Sequence, residues 1–258
     1  VLNYEGRVSG TKDYADIANS DVVVVTSGFP RQPGMTREDL IGKNADIVSQ
    51  VGEGIRQHAP NSIIVMVTNP LDLMTYHMHK VTGFEHSRVV GQAGILDSAR
   101  MTHFIAQAVG CSNEDVQAMV LGGHGDTMVP LPRYTTVNGI PVNQLLSDEQ
   151  VEAICQRTAG GGGEIVKLLE KGSAFYAPGS AAAIMVEAIL EDRKRVLPCS
   201  TYLSGEYGMD DIYIGVPVIL GRNGVERIIE LELGKKELDS LQGSGSFYKE
   251  QLSEILGY

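Results

Sequence analysis

One histidine, His124, lies in the glycine-lined run GGHGDTMVP at 122–130, where its imidazole could give or take a proton near neutrality. The flanking glycines let backbone and substrate approach closely. Upstream, LDSAR at 96–100 opens an expected helix on which Asp97 and Arg100, three apart, share a face. An aspartate can orient the imidazole and support its positive charge, and an arginine can grip a carboxylate through paired hydrogen bonds. The three together point to proton transfer on a small molecule that carries a carboxylate.

Two more cations, Arg31 and Arg37, fall in SGFPRQPGMTR at 27–37, a long connection after the β-branched run 22–26. Ligands of open α/β sheets bind at such strand ends, and a Pro/Gly loop carrying cations can close over a site and exclude water. Asn69, in VTNP after the run 63–68, either caps the next helix or touches a ligand at a second strand end.

These residues need elements to position them. The runs 22–26 and 63–68 are each followed by a helical pattern, as buried parallel strands of βα units should be. The helices expected are 36–57, with Thr36 as N-cap and Asp39 three positions on, and 70–81, with Pro70 in its first turn. A short strand at 88–91 precedes the Asp97 helix, and the apolar run 116–121 is expected as the strand that delivers His124. Beyond it, helices at 148–171 and 178–192 alternate with hairpin-like strands at 134–142 and 212–230, the latter broken at Asn223-Gly224, before a last helix at 235–256. The first part reads as α/β and the second as α+β.

The 258 residues are enough for one large or two modest domains, and 43% hydrophobic with 21% charged residues are globular values. A net charge of -11 without a basic stripe argues against a nucleic-acid partner. Any anionic ligand must then be met by a few local arginines. No apolar run has membrane-spanning length, and without a signal-like start the expected location is the cytoplasm. Cys111, Cys155 and Cys199 are expected as reduced core thiols, not as a disulfide or metal set.

The motifs SGFPRQPGMTR, VTNPLD, GQAGILDSAR and GGHGDTMVP, supported by KGSAFYAPGSA from Lys171 and GVPVILGRNGVE from Gly215, closely resemble those of the malate and lactate dehydrogenases, within them the malate dehydrogenases that look like lactate dehydrogenases. The resemblance runs from about Val8 to the last helix. It implies a Rossmann-like doubly wound parallel sheet at 1–91 and an α+β substrate domain at 92–258. It also implies NAD as cofactor, a small dicarboxylate substrate, a homotetramer or dimer, and a place in the tricarboxylic acid cycle. By that resemblance His124 accepts the substrate proton and Asp97 orients it. Arg100 clamps the C1 carboxylate, Arg37 polarises the reacting carbonyl, and Asn69 meets substrate and cofactor. Thr26, Gly28, Asn44, Val67 and Thr68 fall where the family touches the cofactor.

Charge then addresses the choice of substrate. Malate and oxaloacetate carry a second carboxylate, and Arg31 stands where a lactate dehydrogenase typically has an uncharged glutamine. The cation should reject pyruvate through its own unpaired charge. The small side chain of Ala174 leaves matching room. The reaction implied is reversible hydride transfer between (S)-malate and NAD; a lactate or other 2-hydroxy-acid dehydrogenase is the alternative that Arg31 discriminates, and a non-enzymatic remnant is a second. The family's opening G-x-G-x-x-G turn is not matched, and Gly160 to Gly163 lacks the strand such a turn requires. The chain is therefore expected to correspond to the family less roughly 50 N-terminal residues, one βαβ unit.

Overall fold

Four successive valines, Val22–Val25, form strand β1, and the apolar run Ile63–Met66 forms β2 beside it. The computed structural model describes residues 6–29, 37–170 and 174–258; Arg31, Thr36 and Lys171 lie outside them, and of Arg37 only the backbone is described. β1 and β2 are parallel, in register from Val22↔Ile63 to Val25↔Met66, and β3, Val89–Gly91, continues the parallel order. Every residue of β2 and β3 is buried, as apolar strands covered on both faces must be. The crossovers are α1, Arg37–His58, and α2, Leu71–Thr82. Pro70 holds the N-cap of α2, where the missing N–H costs nothing, and Gly83 at φ 65° ends it. The α/β reading of the first part holds.

After β3 comes α3, Gly94–Val109, which carries Asp97 and Arg100. The single strand expected at 116–121 is instead two: β4, Val116–Gln117, and β5, Val120–Gly122, belong to different sheets. Between them Val120 N–H donates to Ser98 Oγ on α3, and Met119 C=O accepts from Leu131 N–H, so these groups leave the ladder. β5 pairs antiparallel with β6, Met128–Pro130, leaving the His124 loop between the two strands. β4 pairs with β7, Thr136–Val137, and β7 with β8, Ile140–Pro141. Asn138 and Gly139, both at positive φ, make the tight turn of that short hairpin.

Helix α4, Asp148–Leu169, starts from a capping box of Ser147 and Gln150, and α5 spans Tyr176–Leu190. Next comes β9, Arg195–Ser204, which the sequence reading did not foresee. It is paired with β10, Asp210–Gly221, from Ser204↔Asp210 to Arg195↔Leu220, and β11, Gly224–Ile228, folds back on β10. Pro198, Ser200 and Thr201 interrupt the apolar pattern of β9, which hid it. The strand corrects the picture of two separate regimes: the sheet order is β1-β2-β3-β9-β10-β5-β6, with β11 on β10. The bridge Gly91↔Ser200 joins the two parts, and Gly215↔Gly122 ties β5 to β10, completing one mixed sheet.

The last helix, α6, Lys235–Gln251, runs into a wider π turn at Leu252–Leu256. Of the three thiols only Cys199 is in the core; Cys111 and Cys155 are half-buried, and all three are free. No helix among the described residues is long and apolar enough to cross a membrane.

Candidate active site

The site forms where α3 presses against β5. A Cβ on Gly94 would collide with the Val120 carbonyl, so glycine permits the approach, and the Ser98–Val120 bond of 3.0 Å fixes it. This brings Asp97, only 1% exposed, up to the His124 loop. His124 Nδ1 lies 2.8 Å from Asp97 Oδ2, and Arg100 Nη1 donates to Asp97 Oδ1 at 2.9 Å. A carboxylate only accepts, so the proton sits on Nδ1 and Nε2 is left to exchange one with a substrate. Burial pulls the His124 pKa down, but the charge and hydrogen bond of Asp97, helped by Asp72, outweigh it and leave the imidazole more basic than usual.

The backbone around His124 is held by side chains from three further elements. Gly122 turns at φ 84°, and Gly123 N–H donates to Ser244 Oγ of α6 at 3.0 Å. Ser244 donates in turn to Thr127 Oγ1 at 2.8 Å. His124 N–H donates to Asp72 Oδ2 at 2.8 Å, and the other Asp72 oxygen accepts from Ser200 Oγ of β9 at 2.7 Å. Burial pushes the Asp72 carboxyl up to about 6, against the hydrogen bonds from Ser200 and His124 that favour its charge. Sequence reasoning missed Asp72, Ser200 and Ser244. An aspartate in the otherwise apolar start of α2 was a readable signal; the serines carried none.

Arg100 runs along α4. Its neighbours there are Gly161 and Gly162, where a Cβ would stand 3.1 Å from Arg100 Cδ and 3.8 Å from its terminal nitrogens, respectively. The glycine run at 160–163 is thus inside a helix, and two of its members leave room for a guanidinium. Arg100 Nε is buried with no partner among the described residues. An orphaned donor on the free edge of a half-buried arginine suits a carboxylate from outside the protein.

The ends of β1 and β2 form the second half of the site. Thr68 Oγ1 donates to the Ser27 carbonyl at 2.8 Å, and Asn44 Nδ2 donates to the Asn69 carbonyl at 2.6 Å while its Oδ1 accepts from Phe29 N–H at 2.7 Å. Both side chains are buried. Expected as cofactor contacts, Asn44 and Thr68 turn inward and brace the two loops. Thr26, Gly28 and Asn69 are exposed at the strand ends and Val67 is half-buried. Asn69 is not the helix cap, since Pro70 holds that position. A Cβ on Gly28 would stand 2.8 Å from Thr68 Cγ2, so the first loop passes close over the second only as glycine. Two braced loops at the carboxyl ends of parallel strands fit one end of a dinucleotide. Arg31 lies outside the described residues, and the backbone of Arg37 opens α1. Ala174 lies between α4 and α5, half-buried.

The chain matches two family descriptions: lactate/malate dehydrogenase, NAD binding domain, over residues 1–91, and lactate/malate dehydrogenase, alpha/beta C-terminal domain, over residues 95–257. It is 54% identical over 255 residues to a malate dehydrogenase of Roseiflexus castenholzii, covering 99% of this chain and 82% of that protein. A malate dehydrogenase of Methanosarcina mazei is 52% identical over 255 residues, covering 99% and 83%. The solved malate dehydrogenase of Salinibacter ruber superposes with a TM-score of 0.93 at 50% identity, over 98% of this chain and 81% of that one. With the family's NAD-binding sheet and a His–Asp–Arg constellation at its edge, the chain belongs to the lactate/malate dehydrogenase family.

Proposed function

We infer that the chain catalyses the reversible, NAD-dependent oxidation of (S)-malate to oxaloacetate. The relatives' names and the NAD-binding domain support the reaction; one observation carries the site. Asp97 divides its carboxylate between His124 and Arg100, so the proton-transferring group and the carboxylate clamp are set by a single buried residue.

Bound NAD supplies the hydride acceptor. Around it, His124 Nε2 takes the C2 hydroxyl proton of malate, and Asp97 stabilises the resulting imidazolium. Arg100 turns its unpaired Nε edge to the C1 carboxylate. Arg37, at the start of α1, polarises the reacting carbonyl, and Arg31 meets the second carboxylate, with Ala174 leaving space for it. Asn69 serves both substrate and cofactor. Thr26, Gly28 and Val67 face the cofactor, with Asn44 and Thr68 holding their loops.

The same reading divides the chain at 91/92 into a cofactor domain and a substrate domain. It places the enzyme in the cytoplasm, within the tricarboxylic acid cycle, as a homotetramer or dimer. Steady-state kinetics test the site. His124→Gln should abolish kcat with NADH binding retained, whereas Arg100→Met should chiefly raise the KM for oxaloacetate. Near-normal constants in both variants would overturn the assignment.

A further inference from the structure

Among the described residues, Asp72 is the one fully buried carboxylate near the reaction that the chemistry above does not use. It sits three residues after Asn69, in the first turn of α2, beside the bridge Gly91↔Ser200 that joins the two parts of the sheet. One of its oxygens holds His124 N–H and the other is held by Ser200. Burying a carboxylate completely is unfavourable, and a neutral residue would fill the same space more cheaply unless two good acceptors are needed there. The two donors it serves belong to the imidazole loop and to β9, while its own helix grows from the loop that presents Asn69. Three elements therefore converge on one side chain.

We propose that Asp72 is a positioning residue for hydride and proton transfer: it locks the main chain of His124 to the β2–α2 loop, so that the imidazole and the Asn69 side of the cofactor site keep one fixed separation. The carboxylate touches no reacting atom and acts through the backbone of the loop. This rests on His124 as the acid–base group argued above.

The test uses the full-length enzyme with wild type, Asp72→Ala, Asp72→Asn, Ser200→Ala and His124→Gln in one assay. Losing a charge-assisted hydrogen bond at this point should lower the kcat of Asp72→Ala by on the order of tenfold to a hundredfold. KM for oxaloacetate and Kd for NADH should move by less than about threefold. With NADH deuterated at the transferred position, the isotope effect on kcat should rise, because a misplaced imidazole slows chemistry and not product release. Asp72→Asn should recover most of the loss, since its amide oxygen can accept from His124 N–H while its NH2 donates to a rotated Ser200 hydroxyl. If Asp72→Ala does not fold, Ser200→Ala removes one of the two bonds and should shift kcat and the isotope effect in the same direction. Wild-type kcat and isotope effect in the folded variants would overturn the proposal, as would an Asp72→Asn no faster than Asp72→Ala. Turnover surviving in His124→Gln would instead overturn the acid–base reading on which it rests.

Discussion

A Cβ on Gly161 would stand 3.1 Å from Arg100 Cδ, tighter than a relaxed contact. The helix interior therefore holds glycine at a position where alanine would favour the helix by about 1 kcal/mol. Gly161→Ala should raise or preserve the melting temperature while displacing the guanidinium and raising the KM for oxaloacetate severalfold. Steady-state kinetics beside a thermal melt check the trade. A more stable variant with unchanged KM would show that Arg100 tolerates the methyl group.

Asp72 should leave its mark on stability. Its carboxyl titrates near 6 in the fold, against roughly 4 in an unfolded chain. The folded state thus holds the extra proton between those values, and the group's contribution to stability falls as pH rises from about 4 to about 6, by about 3 kcal/mol, then levels off. Asp72→Asn does not titrate. Its stability relative to wild type should accordingly improve through that window and stay constant above it, as read from denaturant midpoints at several pH values. A difference that stays flat from acid to neutral pH would contradict the buried, ionising carboxyl.

Arg31 should decide the choice between a dicarboxylate and a monocarboxylate. Arg31→Gln should depress kcat/KM for oxaloacetate and raise it for pyruvate, shifting their ratio by on the order of a thousandfold. An unchanged ratio would remove Arg31 from the discriminating role.

The His124–Asp97–Arg100 cluster was legible because its members sit in short motifs with distinctive chemistry: a histidine among glycines, and an Asp/Arg pair at i, i+3. The parallel strands were legible because buried β-branched runs advertise themselves. What escaped was long-range. β9 is masked by Pro198 and by Ser200 and Thr201, two polar residues whose burial only the finished sheet explains. The strand at 116–121 splits because Ser98, on another element, takes a ladder donor. Asn44 and Thr68 stand in the expected place, but their partners, the Asn69 and Ser27 carbonyls, are set by loop packing, which no local pattern encodes. The run at 160–163 showed four glycines but not Arg100, the side chain two of them accommodate.

Asp97 makes His124 a stronger base and holds it in place. The direct measurement is the pH dependence of kcat/KM for oxaloacetate reduction in wild type and Asp97→Asn. Reduction needs the imidazolium, so the wild-type profile should fall on the alkaline side at a pH above the ordinary histidine value of about 6.5. In Asp97→Asn the supporting charge is gone. The alkaline limb should move to lower pH and the maximum should drop by on the order of a hundredfold to ten-thousandfold. Superimposable profiles with near-wild-type turnover would contradict the account.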